Sequence, residues 1–447
     1  MKYQTPDVYA SYFPVVSKIK IMSRIALALF ALSALLHGQM EAEQFVSFPD
    51  FINSAHMADP GQYLARPGSG VQDAAAFEEM RLHILTMYQG VTVTHSFLLG
   101  SHYFDCVPVE QQPSFRLLGL TKIATPPPSP QLHQQDLREG AAIPAVQVGP
   151  DNQFDQFGNS TRCEDHTIPM RRITLEDMSR FPTLRAFLSK SRGGALNFSP
   201  PKQYQSNGYA HKYAFTQQNV NNLGGNSNLN LWSPYVNTGV GGEMLSLSQE
   251  WYVGGKPTQT AEVGWQNQPD TWGTEDSVLF IYWTADDYNQ TGCYNLDCSG
   301  FVQTNGDWNF GGTFTNYSTI GGAQYYFEAE YWLTGGNWWL ALGGEWVGYY
   351  PASIYGGGQM SHHSKTIQYG GETAGQTEWP PMGSGEWAKK GWTYAAYQDN
   401  IWYFDTKSVE WWAGLTLEQP AKHCYKDAYL TYAPTSFYFG GPGGSGC

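Results

Sequence analysis

From about residue 199 onward, apolar and polar side chains alternate with a period of two, which is the pattern of half-buried β-strands. The apolar positions are rich in Trp, Tyr and Phe, and clusters of Gly, Asn and Asp separate the runs, as antiparallel strands joined by turns require. This pattern predicts an antiparallel β-sandwich of jelly-roll type. The clearest runs are EMLSLSQEWYV, TAEVGW, SVLFIYWT, YYFEAEYWL and SVEWWAGL.

Residues 43–198 carry helical signals instead, and they predict a smaller α+β domain. Asp73 is placed to cap a helix in which Phe77, Met80, Ile84 and Met87 recur at helical spacing. A basic stretch follows within residues 171–192, in an otherwise acidic chain. A charge run of this kind is most simply a solvated helix face. Its basic residues are Arg171, Arg172, Arg180, Arg185, Lys190 and Arg192.

The N-terminus has the features of an export signal. Lys18, Lys20 and Arg24 precede the apolar run IALALFALSALL, which is shorter than the roughly 20 residues needed to cross a bilayer. We therefore expect residues 1–42 to be a signal peptide with an N-terminal extension. The mature protein is expected to be extracellular, with no stable membrane association.

Composition narrows the partners. The 447 residues carry a formal charge of −14, so a nucleic acid backbone would be repelled.

Export permits disulfides, and the six cysteines are an even number. Cys293 and Cys298 enclose a short loop, Cys424 and Cys447 bracket a Gly-rich tail, and Cys106 and Cys163 remain for each other.

Most reaction chemistries lack a motif in this chain. There is no GxSxG nucleophile elbow and no CxxC or HExxH motif, so we expect neither a serine nucleophile nor a metal or other cofactor. Carboxylates are the remaining reactive groups. Alternation alone cannot select a pair among them, because most strand acids are ordinary surface residues. The candidates are Glu250, Glu262, Glu328, Glu330, Glu345 and Glu372.

Several long motifs resemble the neprosin family of glutamic peptidases together with its N-terminal activation domain. In the first half these are FDCVPVEQQPSF and CEDHTIPMRR. In the second half they are AEVGWQNQP, IYWTADDYNQTGCYNLDCSGFV, NWWLALGGEWVGYYP, IQYGGE and MGSG. The resemblance implies an activation propeptide over residues 43–198 that inhibits the enzyme, and a catalytic β-sandwich over residues 199–447.

The same resemblance implies the catalytic residues and the substrate. The two catalytic glutamates fall at Glu262 in AEVGW and Glu372 in YGGE. A protonated and an ionised carboxyl can together activate water without a metal or an acyl-enzyme, which requires acid conditions. Polypeptides cleaved after proline are the implied substrates. Trp265, Gln266 and Tyr369 are candidates for the cleft lining, and each is equally compatible with packing.

Two other functions stay open at this point. Aromatic platforms with paired carboxylates also suit a glycosidase or a carbohydrate-binding jelly roll. A non-enzymatic, lectin-like secreted sandwich would bind its ligand without either glutamate. If the peptidase interpretation is correct, we expect self-maturation in acid near the segment FSPPKQ, at Pro200 and Pro201.

Overall fold

The computed structural model describes residues 44–128, 145–150, 153–190, 205–206, 209–239, 241–430 and 435–447. The predicted signal peptide and extension, residues 1–42, lie outside the described residues, as do Pro200, Pro201 and the predicted domain boundary at residue 198. Ser47–Cys447 form one compact unit. None of the described helices has the length and apolarity needed to span a membrane.

Helices are short and concentrated in the first half of the described chain. Asp73 caps α3, accepting a hydrogen bond from the backbone amide of Ala76, and Phe77, Met80 and Ile84 are buried on one side of this helix, as predicted. The helices are α1 Phe48–Met57, α2 Pro60–Leu64, α3 Ala74–Met87, α4 Pro113–Leu117, α5 Leu175–Met178, α6 Leu184–Leu188 and α7 Pro269–Trp272. Single 3₁₀ turns occur at Val109–Gln111, Ala352–Tyr355, Gln359–Ser361 and Ala388–Lys390.

Strands dominate the rest, which confirms the prediction of a mainly β protein. They are β1 Ser96–Leu99, β2 His102–Pro108, β3 Ala145–Gln147, β4 Thr167–Arg171, β5 Gln205–Ser206, β6 Tyr209–Asn230, β7 Glu243–Gly254, β8 Gln259–Asn267, β9 Val278–Thr284, β10 Val302–Gln303, β11 Gln324–Thr334, β12 Asn337–Leu342, β13 Glu345–Pro351, β14 Ser364–Gly375, β15 Glu378–Trp379, β16 Ala396–Asp405, β17 Glu410–Trp412, β18 Thr416–Glu418, β19 Lys426–Tyr429, β20 Phe437–Gly440 and β21 Gly444–Ser445.

One large curled sheet contains most of these strands. Its main path is β10-β13-β12-β11-β6-β14-β7-β8-β9, and β16 also pairs with β6. The long strand β6 is the centre of the sheet, because its first part pairs with β14 and its last part pairs with β11. The pairing is antiparallel except where β3 joins β11 in parallel. The sandwich arrangement itself stays a prediction.

The first half adds a three-stranded sheet, β1-β2-β4, packed with the short helices. The main hydrophobic core runs without a break from this half into the large sheet, from Phe77 through Tyr252 to Phe439. The sequence-predicted boundary therefore does not separate two cores.

The structure contains the three disulfides predicted from the cysteine spacing, Cys106–Cys163, Cys293–Cys298 and Cys424–Cys447. The first lies within residues 43–198, and the other two lie within residues 199–447. No disulfide therefore connects the two predicted domains.

Candidate active site

Four adjacent strands, β6, β14, β7 and β8, present a polar group on one face of the large sheet. Glu372 on β14 pairs with Leu247 on β7, and Glu262 on β8 pairs with Trp251 on β7. Directly paired residues share a face, and residues two apart on one strand share it as well. Glu372 and Glu262 therefore lie on the same face, with Gln249 on the strand between them.

Two glycines flank Gln249 in the sheet. It pairs with Gly370 on β14 and with Gly264 on β8. A Cβ atom at Gly264 would lie 2.0 Å from the carbonyl oxygen of Ser248 and 2.6 Å from the Cβ of Gln249. Larger residues at position 264 would therefore displace the strand that carries Gln249. This close approach gives a physical reason for the glycine in the motif AEVGW.

A lysine from the first half of the chain lies between the two glutamates. The Nζ of Lys190 is 2.6 Å from Oε2 of Glu262 and 3.5 Å from Oε2 of Glu372. It also donates to Oε1 of Gln249 at 2.8 Å. All of these side chains are buried, and Lys190 is 1% exposed. Oε2 of Glu262 and Oε2 of Glu372 both contact the same Nζ atom, so the distance between these two oxygens is at most the sum of their distances to Nζ.

Aromatic rings enclose the lysine. Its Nζ lies 5.6 Å from the ring centroid of Trp251 and 5.5 Å from that of Phe280, within the range of cation–π attraction. Lys190 follows α6 by two residues, and its backbone amide donates to the hydroxyl of Tyr282 at 3.3 Å. The prediction that this basic stretch is a solvated helix face is therefore wrong for Lys190, which is buried. The two carboxylates compensate the free-energy cost of burying its charge.

Glu262 is held by neutral donors besides the lysine. Tyr288 and Thr260 donate to Oε1 at 2.5 and 2.8 Å, and the amide of Gln249 donates to Oε2 at 3.1 Å. Burial and the nearby Glu262 raise the pKa of Tyr288 well above its ordinary value, so the phenol remains a donor.

Glu372 has a different surrounding. Nδ1 of His211 lies 2.6 Å from Oε1 of Glu372, and the hydroxyl of Tyr213 donates to the same oxygen at 3.2 Å. Burial favours the protonated form of Glu372, but the positive Lys190 and the hydrogen bond from His211 outweigh it and hold its pKa at about 2. Lys190 and His211 therefore favour the ionised form of Glu372.

Of the three predicted cleft residues, only Gln266 lies on the face that carries the glutamates. It is fully buried, accepting a hydrogen bond from Trp272 Nε1 at 3.0 Å and donating to the hydroxyl of Tyr294 at 3.0 Å. Its partners place it in the packed wall beside the site.

The prediction that Trp265 and Tyr369 line the cleft is wrong. Each lies three residues from the nearest glutamate, and an odd separation on a strand turns the side chain to the opposite face. Trp265 donates from Nε1 to the carbonyl of Asn230 at 2.9 Å, and Tyr369 is buried in the main core with Tyr252. The period of two that predicted the strands also excludes both residues.

The other candidate carboxylates do not contribute to this pair. Glu250, next to Gln249 on β7, points to the opposite face and accepts from the hydroxyl of Ser227 at 3.1 Å. Burial raises the pKa of Glu250 well above its ordinary value. Among the described residues, no group of three or more His, Cys, Asp or Glu side chains is arranged to hold a metal ion.

Sequence reasoning missed Lys190, Gln249, His211 and Tyr288 as members of this site. His211 and Tyr213 are two apart in the alternating run AHKYAF, so a shared face was detectable in the sequence. Their contact with Glu372 was not detectable, because 161 residues separate His211 from this glutamate.

Residues 242–442 match the family model described as Neprosin. The chain carries a Neprosin domain. Glu262 and Glu372 lie within the matched range, whereas Lys190 and His211 precede it. The Neprosin domain supports a peptidase.

Two solved structures are also similar to the chain. One is a scytalido-glutamic peptidase with a transition state analog inhibitor, which is 7% identical in sequence and has a TM-score of 0.26. The match covers 51% of this chain and 97% of the peptidase chain. The other is a scytalido-glutamic peptidase with a peptide-based transition state analog, which is 10% identical and has a TM-score of 0.28. This match covers 52% of this chain and 97% of the peptidase chain. These scores are too low to carry an argument about the Neprosin domain, which depends on the family match and the geometry.

Proposed function

We propose that the chain is a secreted glutamic endopeptidase that is made as a latent precursor. Glu262 and Glu372 are the catalytic pair, and the N-terminal half, residues 43–198, is the inhibitor. One observation carries the proposal: two buried glutamates on one sheet face share a single lysine ammonium group that comes from the other half of the chain. The three disulfides support an oxidising, extracellular location.

The chemistry follows from what two carboxyls can do once Lys190 has left. A water molecule takes the position of the Nζ atom, between the two glutamates. Ionised Glu372 accepts a proton from this water as its oxygen bonds to the peptide carbonyl carbon. Protonated Glu262 donates its proton to the carbonyl oxygen, which gives a tetrahedral gem-diol. The leaving nitrogen then receives the proton from Glu372 as the C–N bond breaks, and Glu262 takes back a proton from one hydroxyl group as the product carboxylic acid forms. No acyl-enzyme forms.

We assign the base role to Glu372 because its neighbours differ from those of Glu262. Glu372 contacts His211, which can carry a positive charge, whereas the side chains that contact Glu262 within the described part of the mature half are neutral: Tyr288, Thr260 and Gln249. Two like charges this close resist double ionisation, so the working pair holds one proton. Activity is therefore expected in acid.

Latency has a direct structural cause. Lys190 occupies the position that the water requires, and it holds Glu372 ionised and Glu262 in contact with an ammonium group instead of a substrate. A buried ion pair that loses one partner leaves an uncompensated charge, which costs about 3–5 kcal/mol. The inhibitory half is therefore stably bound until some other event weakens it.

Mild acid does not protonate Glu372 while the lysine is bound. Its pKa of about 2 lies below its ordinary value, so the stabilisation from this pair persists above the ordinary pKa of glutamate and is lost only as the pH falls towards 2. The expected self-maturation near pH 4 must therefore begin at other groups. Cleavage at Pro200 or Pro201 and a preference for proline stay proposals that rest on the family resemblance.

The deciding experiment compares proteolysis by the wild type and two matched variants. Full-length protein is incubated at about pH 4, within the range where glutamates titrate, with a denatured protein and, separately, with polysaccharides. We expect peptides from the wild type, none from Glu372→Gln, and wild-type activity from Glu250→Gln, whose side chain lies on the opposite face. Release of reducing sugar without peptides would favour the carbohydrate-active alternative.

The new N-terminus gives an independent check of the precursor. We expect it to result from a cut near residues 197–203, and to appear in the wild type but not in purified Glu372→Gln protein. Processing of both proteins at the same rate, with no other protease present, would contradict self-maturation.

A further inference from the structure

His211 is one of four ionisable side chains that contact the glutamate pair among the described residues, together with Lys190, Tyr213 and Tyr288. It lies on β6, where its direct partner in the ladder is Ala374, two residues beyond Glu372 on β14 and therefore on the same face. Its side chain is 2% exposed. Nδ1 contacts Oε1 of Glu372 at 2.6 Å, and Nε2 is buried without a hydrogen-bond partner among the described residues. Among the described residues, the imidazole ring therefore makes one hydrogen bond, the one with Glu372.

The two glutamates differ in what remains with them after maturation. Lys190 belongs to the half that is removed. The side chains of the mature half that contact Glu262 are neutral: Tyr288, Thr260 and Gln249. Among the described residues of the mature half that contact either glutamate, His211 alone can become a cation.

We propose that His211 is a positioning residue that keeps Glu372 ionised and oriented towards the attacking water in the mature enzyme. The proposal rests on the proposed peptidase function and assigns a residue that acts through Glu372 without touching the substrate.

The physical reason is a charge-assisted hydrogen bond in a dry site. An imidazolium that donates from Nδ1 to a carboxylate favours the ionised form of that carboxylate, and low surrounding polarity strengthens the bond. The bond also occupies Oε1, so that Oε2, the oxygen that faces Lys190, is the one left for water. The ionisable groups around this contact are Glu372 on β14, Tyr213 on β6, Glu262 on β8, Tyr288 and Tyr294 after β9, and Lys190 after α6.

The test uses two substitutions with different losses. His211→Asn keeps an N–H close to the position of Nδ1 but can never be charged, whereas His211→Phe keeps a ring and loses the donor. His362→Asn is the control, because His362 is exposed just before β14 and away from the pair. Each protein is made as the full chain and matured in acid, or with an added protease if it cannot mature itself.

We expect His211→Asn to move the acidic limb of the pH–rate profile upward by about one unit or more, with KM nearly unchanged, because the pKa of Glu372 rises when its positive neighbour is lost. His211→Phe is expected to lose about 10²-fold or more in kcat. In the full chain, a ¹³C-labelled glutamate resonance that is absent from Glu372→Gln should titrate at higher pH in His211→Asn.

Each outcome decides between the two proposals. An acidic limb and a Glu372 resonance that both stay in place in a folded His211→Asn protein would overturn the role of His211 while leaving the peptidase intact. A purely structural histidine would lower the melting temperature without moving either titration. If Glu372→Gln keeps full peptidase activity, the proposed function is wrong and the role of His211 falls with it.

Discussion

The N-terminal half of the described chain reaches the site with one side chain near a helix end, whereas the C-terminal half holds the site in the middle of paired strands. Lys190 follows the five-residue helix α6. Glu372 lies in β14, which is paired on both sides, with β6 and β7. The inhibiting group can thus leave without unpairing a strand of the large sheet, and the reacting groups stay in place when it leaves.

The two halves exchange hydrogen bonds in both directions, and arginines of the N-terminal half donate to backbone carbonyls of the C-terminal half. Arg185 donates to the carbonyls of Gly292 and Thr291 at 2.7 and 3.2 Å, and Arg180 donates to that of Asp270 at 3.1 Å. Because backbone carbonyls do not titrate, these contacts are insensitive to acid. The pH dependence of the interface must come from a few ionisable side chains.

The largest effect on activity is expected from substitutions of the glutamate pair, which change the C-terminal half alone. Glu262→Gln or Glu372→Gln should reduce peptide hydrolysis by about 10⁴-fold or more, because a glutamine neither accepts nor donates a proton and the pair acts as a unit. Hydrolysis rates of matured protein, together with unfolding curves, measure this. Glu250→Gln is the matched control; near-normal rates in folded Glu372→Gln protein would show that the pair is not catalytic.

The next effect breaks the contact between the halves. Lys190→Met keeps a long apolar side chain but removes the ammonium group, so two buried carboxylates lose their shared partner. We expect the uncut chain to gain peptidase activity by about 10²-fold, the equivalent of roughly 3 kcal/mol of lost inhibition. Hydrolysis of an added peptide by chains made resistant to processing measures it.

Lys122→Met serves as the control for this gain, because Lys122 is exposed in the same half. Equal latency of the Lys190→Met and Lys122→Met proteins would show that the lysine is a packing residue and that other contacts inhibit the enzyme.

A smaller effect concerns acid. His102 on β2 is buried against the carbonyl of Trp272, and burial together with the nearby Arg171 lowers its pKa to about 4. A group with a lowered pKa that must stay neutral in the bound state stabilises binding above its ordinary pKa of about 6.5, and this stabilisation is lost as the pH falls towards 4. His102 thus weakens the interface in the range where maturation is expected.

Replacing this residue tests the sign. His102→Gln can keep a donor for the carbonyl of Trp272 but does not titrate, so we expect half-maximal maturation to move to lower pH by a few tenths of a unit to one unit. His56→Gln, at an exposed position, should leave the midpoint unchanged. A midpoint that moves upward in His102→Gln would contradict the assignment.

Asp297 is expected to change the stability of the interface in the opposite direction to His102. Burial raises its pKa to about 6, so acid favours the state in which the two halves are bound.

The smallest effect on activity is expected from the disulfides, none of which joins the two halves. Because Cys106–Cys163 lies within one half and the other two disulfides lie within the other, one cut near residues 197–203 should separate the halves without a reducing agent. Non-reducing electrophoresis followed by peptide mapping checks this. Halves that stay joined until reduced would contradict the pairing. Removing Cys424–Cys447 should cost about 3 kcal/mol of stability with no direct effect on the dyad.

The sequence determined the strands and placed both glutamates on them. Alternation in EMLSLSQEWYV and TAEVGW predicts β7 and β8, because the side chains on one face of a strand recur every two positions. The expectation that these strands are half-buried is wrong, because both faces of β7 and β8 are buried. The same rule separates Glu262 from Trp265 and Glu372 from Tyr369. The motifs also identified the Neprosin domain, and cysteine spacing sufficed for the three disulfides because each pair closes a separate segment.

Only the tertiary structure decided which residues surround the pair. Lys190 and Glu262 are 72 residues apart, and His211 and Glu372 are 161 apart, so no local pattern connects them. The register of β6, β14, β7 and β8 brings these side chains onto one face, and register is set by the packing of the whole sheet. A lone lysine in a basic stretch gives no sign of burial, because its burial is stable only once two distant carboxylates meet around it.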